Sequence, residues 1–211
     1  MYLPTAFRVH DRATILAFMR HYNFATLVSY HAGQLHATHL PLTLEEQGNG
    51  PDAPIILRGH LARANPQAEV LEAGGEHLAI FQGPHAYVSA GHYASIENVP
   101  TWNYTAVHAS VTVRILPARA DKLSALHGLV AATEPAYQAQ WDSLPDRYRD
   151  GMLNGIVAFE AHVAGLEAKF KLSQNRSHAD QERVAAGLAG SVDPVAAATG
   201  RLMQARMALR E

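Results

Sequence analysis

Apolar and polar positions alternate along this chain with two different periods. Ile15, Leu16, Phe18 and Met19 recur at helical spacing behind Asp11, a natural N-cap, and predict a short helix over Ala13–Tyr22. Phe24–Tyr30 is rich in β-branched and aromatic residues and predicts a strand. Gly33 supplies a turn, and Leu35–Leu44 is the returning strand of a hairpin. Glu45–Pro54 is a loop, and Ile55–Leu61 a third strand. Asn65-Pro66 is a helix start, so Gln67–Glu72 predicts a short helix ending at Gly74-Gly75.

His77–Gln82 predicts a strand that Gly83-Pro84 breaks and Ala86–Ser89 continues. Ala90–Pro100 is irregular, and Trp102–Leu116 alternates as one long strand up to Pro117. Helices follow over Arg119–Ala132 and Asp146–Leu153. Ile156–Leu172 alternates and predicts a strand, Gln181–Leu188 a helix, and Pro194–Arg210 an Ala-rich terminal helix. Strands in consecutive runs with short turns, and helices between and after them, define an α+β protein with an antiparallel, barrel-like sheet. No repeat or composition shift divides it. The expected organisation is one domain over 1–190 and a helical extension over 191–211.

On that extension Val195, Ala198, Leu202, Ala205 and Leu209 form an apolar stripe, expected to dock on the helix's own domain. Arg201, Arg206 and Arg210 make this end basic, a weak pointer to DNA without a recognition motif.

The 211 residues carry 17 Lys+Arg against 19 Asp+Glu, a formal charge of −2, which argues against nonspecific coating of nucleic acid. With no cysteine there is no disulfide, thiolate metal site or thiol nucleophile. The chain shows no signal peptide and no apolar run long enough to span a membrane, so a cytoplasmic location without membrane contact is expected. Thirteen histidines suggest metal binding, but spacing argues against it: His36 and His39 would lie on opposite faces of one strand, and no metal site is expected. Walker, HExxH, GxSxG and GxGxxG patterns do not occur.

Three stretches carry chemistry. In Arg58-Gly-His60-Leu-Ala-Arg63-Ala-Asn65-Pro66-Gln67 a strand runs into a helix start, with arginine forks suited to phosphate. Phe81–Ser89 and Val99–Tyr104 place aromatic rings, amides and hydroxyls around one loop, a set suited to a planar heterocycle or to a core cluster. In Lys169-Phe-Lys171-Leu-Ser173-Gln174-Asn175-Arg176 two ammonium groups share a strand face and could hold a phosphate or carboxylate, or be a solvated strand end.

Taken in this order, with Met1-Tyr2-Leu3-Pro4 and Phe7 before them, these stretches resemble the PaiB-like family of FMN-binding negative transcriptional regulators; Pro100-Thr-Trp-Asn-Tyr104 through Val107-His108 is the most specific piece. The resemblance covers roughly residues 1–190. It implies an antiparallel split β-barrel with peripheral helices, related to pyridoxamine-phosphate oxidases, FMN as cofactor, and a homodimer with flavin at the interface. It also implies a regulatory role. Carried onto this chain, it implies that Thr38, His39 and Leu40 line the flavin ring. Arg58, His60, Arg63 and Asn65 take the phosphate side. Trp102 and Asn103 close the site from the other subunit, with Lys171 and Gln174 as further candidates. Where the family pattern reads Pro-Ser-Trp-Tyr, this chain has Ala90-Gly91-His92-Tyr93. The alternatives in other classes are an FMN-dependent oxidoreductase and a haem-binding or cofactor-free split-barrel protein.

Overall fold

A computed structural model describes residues 1–209; Arg210, one of the three arginines of the basic end, lies outside them. Among the described residues the strands are β1 Arg8–Val9, β2 Phe24–His31, β3 Gln34–Pro41, β4 Thr43–Glu46, β5 Ile55–Ala62, β6 Glu76–Val88, β7 Thr101–Leu116 and β8 Ile156–Lys171. The helices are α1 Arg12–His21, α2 Gln67–Glu72, α3 Arg119–Thr133, α4 Tyr137–Ser143, α5 Asp146–Asn154, α6 His178–Ala189 and α7 Pro194–Ala208. The strands hydrogen-bond in the order β3-β2-β6-β7-β8-β5-β4, with β1 on β8. Each pairing whose register is defined is antiparallel, which is the α+β class expected from the pattern.

The chain divides into two compact units, one of 1–15, 82–107 and 167 onward, the other of 16–81 and 108–166. In the second unit, β2 and β3 form a hairpin from Phe24↔Pro41 to His31↔Gln34. Its two-residue turn puts Ala32 and Gly33 at φ +49° and +81°, the left-handed pair that matches strand twist. The expected single strand Leu35–Leu44 is two strands. The chain turns at buried Leu42, whose N–H goes to Asn23 O, and Thr43 then pairs with Arg58 of β5 rather than with β2. Phe81, Phe159, Leu27, Ile56 and Leu57 fill the core of this unit. Gly59 lets the core close on β5: a Cβ would stand 2.7 Å from Leu42 Cδ2 and 3.1 Å from Phe159 Cζ, and those side chains would have to shift.

In the first unit Gly83-Pro84 does not break β6. Proline removes one donor but not the extended φ, and Pro84 O accepts from Thr105 Oγ1. Helix α6 starts three residues earlier than expected because Ser177 Oγ caps the N–H of Asp180. Helix α4, in the other unit, was not expected; its one buried side chain, Trp141, gives no apolar period to read.

The terminal helix docks within its own unit, against α6, but not by the expected stripe. Val195 and Leu209 are exposed, and the buried face is Ala196, Ala197, Thr199, Gly200 and Met203. Small residues let the backbones approach: a Cβ on Gly200 would stand 2.2 Å from Ala189 N and 2.7 Å from Ala185 O.

Candidate functional site

The candidate residues divide between the units: Thr38, His39, Leu40, Arg58, His60, Arg63 and Asn65 in one, Trp102, Asn103, Lys171 and Gln174 in the other.

Within the first set, strand geometry separates Thr38 from its neighbour. Side chains alternate, so Thr38 and Leu40 share a face of β3 and His39 takes the other. Leu40 is core, 3% exposed. His39 is exposed, lies 6.4 Å from the Phe24 ring and bonds Thr26 Oγ1 through Nδ1 at 2.9 Å. Thr38 does meet Asn65: Asn65 Nδ2 donates to Thr38 Oγ1 at 2.9 Å, while Asn65 Oδ1 accepts the Gln67 N–H at 2.9 Å. Gln67 Nε2 then donates to Leu27 O and to Ser29 Oγ, and Ser29 Oγ meets His77 Nδ1 at 2.9 Å. This polar chain holds Asn65, the start of α2 and the hairpin in one arrangement. Gln67, Ser29 and His77 are buried, and spacing offered no signal for their role. Among the described residues, Gln67 Oε1 and His77 Nε2 are buried without a partner.

The candidate arginines of this unit are committed. Arg58 donates through Nε and Nη2 to Glu160 Oε1, at 3.1 and 2.9 Å, and through Nη1 to Glu45. Burial pushes the Glu160 carboxyl up, but the hydrogen bonds and charges of Arg58 and Arg114 outweigh it and hold it below the ordinary value. His60 shares a strand face with Arg58, and burial lowers its pKa, which favours the neutral ring. Arg63 donates to Asn154 O at 2.8 Å and Ile156 O at 3.1 Å, so its fork ties down the turn between α5 and β8. A cavity of about 480 Å³ opens beside Arg58, bordered by Arg20, Thr43 and Gly128.

In the other unit, Trp102 is 53% exposed and lies 6.0 Å from Tyr87 and 6.2 Å from His85, an accessible aromatic face on β6 and β7. Asn103 is fully buried and donates to Ser173 Oγ and Met203 Sδ, so it joins β7 to the end of β8 and to α7. Gln174 binds its own strand end, accepting from Leu172 N and donating to Phe170 O. Lys171 is half-buried and donates to Thr101 Oγ1. The altered loop is clamped to α6: Arg183 donates to His92 O, Asp180 accepts the Ala94 N–H, and Gly187 leaves room for the His92 ring.

Within the unit that holds Trp102, the exposed aromatic face, the Asn103–Ser173 amide–hydroxyl pair and the half-buried Lys171 form one donor set. The donor set fits FMN, which needs a flat apolar contact, hydrogen bonds at a heterocycle edge and positive charge for its phosphate. Comparison with known proteins agrees. The family model described as "Putative FMN-binding domain" matches residues 1–165. The chain is 36% identical over 210 residues, 98% of each chain, to "Protease synthase and sporulation protein PAI 2" of Bacillus subtilis. Among solved structures it resembles an FAD and heme binding protein from Mycobacterium smegmatis (TM-score 0.61, 16% identity, 85% of this chain and 80% of that one). It also resembles the flavocytochrome Anf3 from Azotobacter vinelandii (TM-score 0.59, 14% identity, 78% and 69%). At those identities the structural likeness speaks to the fold alone.

The chain belongs to the PaiB-like, FMN-binding family, and FMN is the cofactor that membership assigns.

Proposed function

We propose that this protein is an FMN-binding homodimer that regulates transcription, as a PaiB-like protein. The carrying observation is the 36% identity over 98% of both chains to a protein named for protease synthesis and sporulation. In this reading Asn65 and Thr38, held as one hydrogen-bonded unit, contact the flavin, and the exposed face of Trp102 and Tyr87 takes a planar surface. Arg58 contributes less to the phosphate than its type suggests, because Glu45 and Glu160 already neutralise it. When bound, the flavin supplies the redox chemistry; this chain has no cysteine to supply a thiol couple. A regulator that holds a flavin can use it as a sensor, and an oxidoreductase of the same fold would use it for turnover.

Two measurements test the reading. Addition of FMN to the full chain is expected to give a shifted visible flavin spectrum, and absence of any binding overturns the flavin part. Salt-sensitive, sequence-specific binding to an operator fragment is expected of the regulator. Sustained NADH or NADPH oxidation with no operator binding replaces it with the oxidoreductase.

A further inference from the structure

Positive charge gathers without a matching carboxylate at the end of β8. Lys169 and Lys171 lie two residues apart on one strand face. Lys169 is 7% exposed, donates to Tyr2 O at 3.0 Å and lies 5.4 Å and 5.3 Å from the centres of the Tyr2 and Tyr104 rings. Arg176 stands 4.5 Å from the centre of the Tyr93 ring and donates to Asn98 Oδ1. Among the described residues, none of these three cations has an ion-pair partner. Burial, then the charges of Lys169 and Arg176, hold the Lys171 ammonium below the ordinary lysine value.

Gathering three cations, one buried and two half-buried, costs free energy unless an anion offsets it. Neighbouring aromatic rings and carbonyls absorb much of that cost at Lys169 but not at Lys171. The Lys171 ammonium has three protons, and the structure uses one, toward Thr101 Oγ1. Beneath Arg176, Tyr93 is 7% exposed, and its hydroxyl has no partner among the described residues. That contrasts with Arg58, paired with two carboxylates, and with Arg63, committed to two backbone carbonyls.

We propose that Lys171, flanked by Lys169 and Arg176 and assisted by Thr101, anchors a binding site for a phosphate group. Three cations match the two negative charges of a phosphate monoester better than the one of a carboxylate. The phosphate has two sources: FMN's own, in which case the site rests on the flavin reading, or a separate phosphate ligand, in which case it does not.

Full-length protein is titrated with FMN, riboflavin and inorganic phosphate, as wild type and as Lys171→Met and Lys171→Arg. If the site holds the flavin phosphate, Lys171→Met weakens FMN at least about tenfold, leaves riboflavin unchanged, and Lys171→Arg recovers most of the loss. If it holds a separate phosphate, the FMN-to-riboflavin ratio stays fixed while wild type binds inorganic phosphate and Lys171→Met does not. Equal loss of FMN and riboflavin, or no change with any of the three probes, overturns the site. Should wild type bind no flavin, the flavin reading fails and inorganic phosphate alone decides the site. Arg176→Gln, measured the same way, carries the test if Lys171→Met does not fold.

Discussion

Glu160 accepts hydrogen bonds from Arg58 and Arg114 with 7% of its side chain exposed, and together with Glu45 it fixes where Arg58 points. Its folded pKa lies below its unfolded value, so its contribution to stability is full above the unfolded value and is lost as pH falls through the folded one. Glu160→Gln removes the charge and leaves two arginines partly unmatched. It is expected to cost about 1–3 kcal/mol in urea unfolding at pH 7 and to flatten the acid limb of stability. Histidine acts at higher pH. Burial depresses the pKa of both His77 and His60. A depressed histidine is neutral in the fold and charged more readily when unfolded, so stability is full above about pH 6.5 and declines below it. In His77→Gln, whose amide can still reach Ser29, the decline between pH 6.5 and 5 is expected to be shallower than in wild type. An unchanged slope would remove His77 from the account.

At the scale of elements, α7 turns helix propensity against packing. Alanine is the better helix former than glycine by about 1 kcal/mol, so propensity alone expects Gly200→Ala to stabilise. The 2.2 Å approach to the Ala189 backbone expects the opposite. Overpacking should lower stability by about 1–3 kcal/mol or more and separate α7 from α6, visible as a drop in melting temperature. The same helix shows why part of the structure was hidden in the sequence. Period 3.6 makes α7 legible, but its larger apolar residues mark a different stripe from the alanines and glycine that make the contact. The hairpin, the long strands β7 and β8 and the start of α2 were legible, since each has a local cause: alternation, a glycine turn or a cap. The break at Leu42 was not, because it depends on a change of strand partner 15 residues away, between Thr43 and Arg58 of β5.

For the whole molecule, the family was readable from short ordered motifs, while the allotment of roles within them was not. Arg58 and Arg63 were candidates because of side-chain type, yet their partners Glu160, Asn154 and Ile156 lie about 100 residues on, beyond any spacing argument. Lys171 likewise meets a distant partner, the Thr101 hydroxyl, but no carboxylate. The homodimer proposal is tested at this scale: light scattering across a dilution series should give twice the chain mass, with one FMN bound per chain. A mass of one chain at every concentration, with FMN still bound, would separate flavin binding from dimerisation.

The division of the sequence between the units has a consequence for synthesis. One unit is closed by residue 166, while the other joins segments near residues 1–15 and 82–107 to the stretch beginning at 167. A ribosome therefore releases everything the unit of 16–81 and 108–166 needs before it delivers α6 or α7. Until then β7 would lack the last residues of β8, its hydrogen-bonded neighbour, along part of one edge. Unpaired strand edges are where chains stick to one another. The interval between emergence of Leu166 and docking of α7 is thus the period in which this protein is most exposed to aggregation, and slowing translation after residue 166 should lower its soluble yield.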